Sequence, residues 1–198
     1  MSSENPDTRT RILESAWKLL ESGSGSEVRM SDIAKDAGIS RQALYLHFPK
    51  RADLLVATTR HIDVVNDVEA RLTASRTAAS GIARLDAFIE AWGNYIPSIY
   101  GVAKALISMQ DEDEAARLAW ADRLQAVREG FEAAVAALER DGALSPEFPP
   151  KRAADLLWTM VSVESWEHLT IDCSWSQADY VDAMKSLARR ALVVEGNG

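Results

Sequence analysis

The stretch SDIAKDAGISRQALYLHFPKRADLL, Ser31 to Leu55, decides how the rest of the chain is read. Ser31 is placed to cap a short helix that buries Ile33, Ala34 and Ala37. Gly38 supplies the positive-φ residue that ends this helix, and Ser40 is placed to cap the next. The second helix stops at Phe48-Pro49, because a proline disfavours helical backbone in the residue before it. Two short helices joined by a tight turn containing glycine predict a helix-turn-helix. On the second helix Arg41, Gln42, Tyr45 and Leu46 fall on one side, and Leu44 and Phe48 on the other. Arginine matches the two acceptors of guanine and glutamine the donor–acceptor pair of adenine, so this side is suited to reading base edges.

Composition agrees with a helical protein that touches nucleic acid at one end. The sequence has 198 residues, 47% of them hydrophobic, which is enough for a sizeable core. Residues 1–60 carry nine Lys/Arg against eight Asp/Glu, whereas 61–198 carry thirteen against twenty-two. Affinity for phosphate comes from Lys and Arg, so an overall charge of −8 argues against a general nucleic-acid binder. Basic residues gathered around one motif suit contact through one end only. No apolar run is long enough to span a membrane, and MSSENPDTRTR lacks a signal-peptide core. A single cysteine, Cys173, excludes an internal disulfide and suits a reducing cytoplasm, the expected location. Residues 1–6 and 195–198 read as short disordered ends.

Ile33-Ala34, Ala37-Gly38-Ile39-Ser40, Ala43 to Arg51 and Leu54-Leu55 together resemble the DNA-binding domain of TetR/AcrR-family transcriptional regulators. The Tyr45-Leu46-His47-Phe48-Pro49 run and the basic residue ahead of Leu54-Leu55 separate this pattern from LacI-type repressors. So does a preceding helix, Arg9 to Ser22, with Ile12, Ala16, Leu19 and Leu20 on one face and Trp17 beside it. Arg51 stands where the family usually has Lys, which keeps the charge. Leu46 stands where an aromatic is common, which alters one backbone or base contact.

The expected contacts follow residue by residue. Arg41 and Gln42 are the base-reading candidates, and Ala43 is small enough to lie against a thymine methyl. Ser40 serves as cap first and phosphate donor second. Tyr45, His47 and Lys50 are expected on phosphates, which set position and not sequence. Arg51 opens the following helix, where its charge and the backbone N–H groups suit phosphate. Arg9 and Arg11 either reach the backbone or minor groove, or are solvated charges at a helix start.

The remainder is predicted all-α, with a helix-turn-helix domain over 1–52 and a larger effector-binding and dimerisation domain over 53–198. One long connecting helix is expected from Ala52 to about Thr73, then a loop to Gly81. Leu85, Phe88, Ile89 and Trp92 mark an amphipathic helix that Pro97 ends or kinks, and a short helix follows to Met109. Asp111 to Glu114 opens a long helix that Asp141-Gly142 terminates after Arg140. Two last helices are expected over Lys151–Asp172 and Ser176–Val194, linked to the rest by a rigid connector containing Pro146, Pro149 and Pro150.

The resemblance implies a homodimer built on those last helices. Its candidate interface is Val161, Ser165, Tyr180, Met184, Leu187, Ala188 and Ala191, each of which can equally pack inside its own domain. A dimer doubles the bases read on a palindromic operator in double-stranded DNA. The resemblance also implies a small-molecule effector whose identity the residues do not disclose. Aromatics suit an apolar pocket, and Phe88, Trp92, Tyr95, Met109, Trp120 and Trp158 are the candidates, although aromatics at helical spacing also build cores.

Other chemistry finds little support. Glu164, His168 and Cys173 lack a further ligand at metal spacing and read as a helix-surface pair beside a buried thiol. Gly23-Ser24-Gly25 follows a helix and not a strand, and reads as a loop. No nucleophile elbow occurs, so neither an enzyme nor a cofactor is expected. The expected function is a ligand-responsive DNA-binding regulator, a repressor by family default. The alternative is a helical ligand- or partner-binding protein whose DNA head no longer reads a specific site.

Overall fold

The computed structural model describes residues 7–22 and 28–194; the chain ends and the Gly23-Ser24-Gly25 loop lie outside the described residues. The protein is all-α: no strand forms among the described residues, and the only extended pairing they show is an isolated bridge, Leu144 to Val193. Two compact units divide it, Met1–Asn66 with Ile99–Arg123, and Asp67–Ser98 with Leu124–Gly198.

In the first unit α1 (Thr8–Glu21) starts at Asp7, whose carboxylate accepts from the Thr10 N–H at 2.7 Å. Helix α2 (Met30–Asp36) begins two residues earlier than expected, with Arg29 at the cap position, so Ser31 lies inside the first turn and not at the cap. Gly38 has φ +67°, and the Ser40 hydroxyl accepts from Ala43 N–H at 3.1 Å to open α3 (Arg41–His47), both as expected. Ile12, Ala16, Ile33, Ala34, Leu44, Phe48 and Leu54 form one buried cluster. Because Leu54 belongs to it, α4 (Arg51–Val65) packs with the head, and a boundary after residue 52 would cut its first turn.

Helix α4 is not the long connector expected to reach Thr73. Asn66 turns its side-chain amide back onto the Ile62 carbonyl at 2.9 Å, and Asp67 takes the left-handed conformation (φ 51°) and caps α5 (Val68–Arg76). Short polar side chains that bond their own backbone compete with the helix without any Gly or Pro to announce it. Ion pairs bind α4 to the first unit's share of the segment that joins α7 (Ile96–Met109) to α8 (Glu114–Arg140) and of α8 itself: Arg51 with Asp113, Arg60 with Asp122 at 2.6 Å, and Asp63 with Arg123. The partners advance together in number, so α4 and α8 run side by side in the same direction. Asp113 also accepts from Ala115 N–H at 3.0 Å and so caps α8, refining the expectation that an acidic run opens this helix.

In the second unit Ser80 caps α6 (Gly81–Gly93), which ends at Gly93-Asn94 before Pro97 is reached. Pro97 stands instead in the first turn of α7, where its missing N–H is no loss. Gly81 lets α6 approach α8 closely: a Cβ there would stand 2.5 Å from the Leu138 nitrogen. Phe88 packs edge-on to Phe131, with 4.8 Å between ring centres. The helix expected over Lys151–Asp172 is broken into α9 (Pro150–Met160), α10 (Val163–Glu167) and a π-helical turn, His168–Asp172. The break occurs where the Val161 carbonyl accepts the Trp92 indole N–H at 2.7 Å and Ser162 caps α10. Ser176 then caps α11 (Gln177–Leu192).

Candidate nucleic-acid interface

Helix α3 is short because both ends are fixed: the Ser40 hydroxyl holds the first turn and the extended Phe48 closes the last. Leu44 and Phe48 anchor it in the core, which turns Arg41, Gln42, Tyr45, Leu46 and His47 outward to solvent. Exposure rises along this side to 81% at Leu46, against 42% at Tyr45. Ala43 is half-buried, and Lys50 is exposed just beyond the helix. Arg41, Gln42, Tyr45, His47 and Lys50 are thus all exposed, as contact with bases or phosphates requires.

Arg9 joins this surface through a contact the sequence did not suggest. Its guanidinium lies 4.4 Å from the centre of the Phe48 ring, a cation–π contact that seats α1 against the end of α3. The Asp7 carboxyl is held below its ordinary value, chiefly because its carboxylate accepts the Thr10 N–H, with His47 adding a smaller favourable field. Arg11 is half-buried and turns a guanidinium N–H toward the Thr8 hydroxyl at 3.3 Å.

Arg51 is placed differently from the phosphate role expected of it. Its Nε–H donates to the Val28 carbonyl at 2.9 Å, and its guanidinium pairs with Asp113, each side chain being only 16% exposed. A charge already neutralised and shielded has little left for a phosphate. Asp113 is 62 positions away, beyond the reach of any local pattern.

The candidate pocket residues fall in both units. Met109 and Trp120 belong to the first unit, and Phe88, Trp92, Tyr95 and Trp158 to the second. Phe88 and Trp92 serve the core: the Phe88 ring fills the space a side chain at Gly130 would need, and Trp92 is 8% exposed with its N–H occupied. Tyr95 stands against the Arg71 guanidinium at 5.9 Å, and Trp158 against Arg128 at 5.6 Å. Burial pushes the Tyr95 phenol well above its ordinary range, and Arg71 only partly offsets this.

Among the candidate interface residues Val161, Tyr180, Met184 and Ala188 are already buried in the single chain. Tertiary packing uses that stripe first. Leu187 remains 48% exposed, and Ser165 and Ala191 are half-buried. Cys173 is exposed, not buried as expected, and His168 pairs with Asp172 at 3.2 Å.

Comparison with known proteins gives this geometry its context. Residues 12–58 match the family profile described as bacterial regulatory proteins, tetR family. The nucleoid occlusion factor SlmA of Marinomonas sp. (strain MWYL1) is 36% identical over 63 residues, which span 32% of this chain and 32% of SlmA, about a third of that relative's length. The transcriptional repressor LfrR of Mycolicibacterium smegmatis is 29% identical over 155 residues, 78% of this chain and 75% of LfrR. In structure, a candidate transcriptional regulator from Saccharomonospora viridis in complex with choline superposes with a TM-score of 0.73. It shares 19% identity over 94% of this chain and 98% of its own, a likeness of fold.

Proposed function

The chain belongs to the TetR family of bacterial regulatory proteins, and on that premise we propose that it is a repressor that binds a palindromic operator as a homodimer and releases it when a small molecule binds. The observation that carries this reading is the solvent-facing Arg41–Gln42 pair on a short helix whose other side is locked into the core. In this reading Arg41 and Gln42 contact base edges, while Tyr45, His47, Lys50 and Arg9 hold phosphates. Ser40 acts as cap, and Arg51 acts within the protein.

The dimer is assigned to the exposed side of α11 around Leu187 and Ala191, next to the exposed Arg190. One short helix reads few bases, and a two-fold axis supplies the second half-site. For the effector, Tyr95 and Trp158 are the candidates among the aromatics, because each ring lies against a guanidinium, which gives an apolar ligand a polar group beside it. The protein works where DNA is, in the cytoplasm.

Selection of bound duplexes from a random-sequence pool at physiological salt tests the reading. A palindromic consensus is the expected outcome, and its half-site spacing reports the dimer. If the folded protein enriches no sequence, the repressor reading fails.

A further inference from the structure

The side chain of Leu46 has no work in the fold. Leu44 and Phe48 supply the apolar contacts that hold α3 to the core, while Leu46, at 81% exposure, is the most exposed large hydrophobic among the described residues. It stands one turn after Gln42, on the same side as Arg41 and Tyr45, with the exposed His47 and Lys50 beyond it. A leucine accepts and donates no hydrogen bond, so it can take nothing from a phosphate or from the polar atoms of a base edge. The major groove offers one apolar group to such a side chain, the C5-methyl of thymine.

We propose that Leu46 selects a 5-methylpyrimidine in each operator half-site: thymine, or 5-methylcytosine where cytosine is methylated. The inference rests on the sequence-reading function proposed above. Gln42 and Leu46 then form a polar–apolar pair on one helix face, the first recognising a donor and acceptor and the second a methyl group. Ala43 is the competing partner for a methyl, but it is half-buried and ends at a single carbon. Covering one methyl group is worth about a fourfold change in affinity, so two half-sites together give roughly fifteenfold.

The test uses the full chain and its selected operator in fluorescence-anisotropy titrations. Each thymine is replaced in turn by deoxyuridine, which removes only the methyl group. The expected result is one position per half-site where the change weakens binding about fourfold, and where Leu46→Ala is indifferent to it. Leu46→Met, which keeps an apolar reach, retains the sensitivity. With dC in place of that thymine, adding the 5-methyl group recovers part of the loss for the wild type alone. A flat scan overturns the proposal, and so does an equal loss in Leu46→Ala, which would assign the methyl to Ala43. Either result leaves the operator itself standing, whereas failure to select any operator removes the regulatory reading and this one together.

Discussion

Arg51 and Asp113 share one ion pair in which each partner also holds a piece of backbone: Arg51 the Val28 carbonyl, Asp113 the first N–H groups of α8. The pair joins the start of α4 to the start of α8. Replacing Asp113 by Ala strands a mostly buried guanidinium and uncaps a 27-residue helix. The expected loss is ~2 kcal/mol, below the range for a fully buried pair because both groups keep some solvent. Arg51→Met should cost less, since Asp113 retains its two N–H donors. Urea midpoints at constant slope measure both.

The same pair separates two roles in DNA binding. Lys50→Ala should weaken binding to all sequences and lower the slope of log affinity against log salt by about one unit. Arg51→Met should leave that slope unchanged. Arg41→Ala should relax sequence preference at one base pair, worth ~1–3 kcal/mol of discrimination. An unchanged consensus for Arg41→Ala would remove it from the reading surface.

Gly81→Ala is expected to destabilise the second unit by ~1–3 kcal/mol. The new methyl would meet the backbone nitrogen of Leu138 at 2.5 Å, and backbone cannot swing aside as a side-chain tip can. Thermal melts followed by tryptophan fluorescence report the loss, and an unchanged melting temperature would show that α6 and α8 can separate at this point.

Trp92→Phe keeps most of the ring's bulk and removes the indole N–H that Val161 accepts. Leaving that carbonyl unpaired in the interior should cost ~1–2 kcal/mol. If the variant lost its response to an effector without any loss of stability, Trp92 would belong to a pocket and not to the core.

Acid should weaken the head through its capped and paired carboxylates. Asp7, through the Thr10 N–H, and Asp36, through the Lys18 ammonium, both have folded values below the ordinary 3.8. A depressed folded value means the stabilisation is complete above about pH 4 and is lost as pH falls through the folded values. Asp36→Asn should flatten that part of the acid-unfolding profile, measured by circular dichroism against pH. A superimposable profile would show that the Lys18 pair contributes nothing.

Much of the head is legible in the sequence because its signals are local. Gly38 needs its positive φ, Ser40 bonds a group three residues on, and Leu44 and Phe48 repeat at helical spacing. Expectation and structure part where a competing local bond or a distant partner decides the outcome. Asn66-Asp67 ends α4 through side-chain bonds that polar residues make only in some contexts, and Trp92 meets Val161 across 69 positions. Pro97 has the look of a stop, yet its neighbours make it a start. Part of the dimer stripe is taken up for a different reason: periodicity identifies a face that wants to be covered but not what covers it, and Tyr180 and Met184 are already buried in the single chain.

The internal pairing of the head's cations has a consequence for how such a regulator would find its target. Lys18, Arg51 and Arg60 are each held by a carboxylate, at Asp36, Asp113 and Asp122. A cation already paired with a carboxylate releases fewer counterions from an arbitrary duplex, and that release is what makes a protein linger on DNA it does not recognise. The bulk chromosome would therefore be a poor trap for this chain. Its copies would spend short visits on wrong sites and return quickly to the search, so that few molecules could keep one operator occupied.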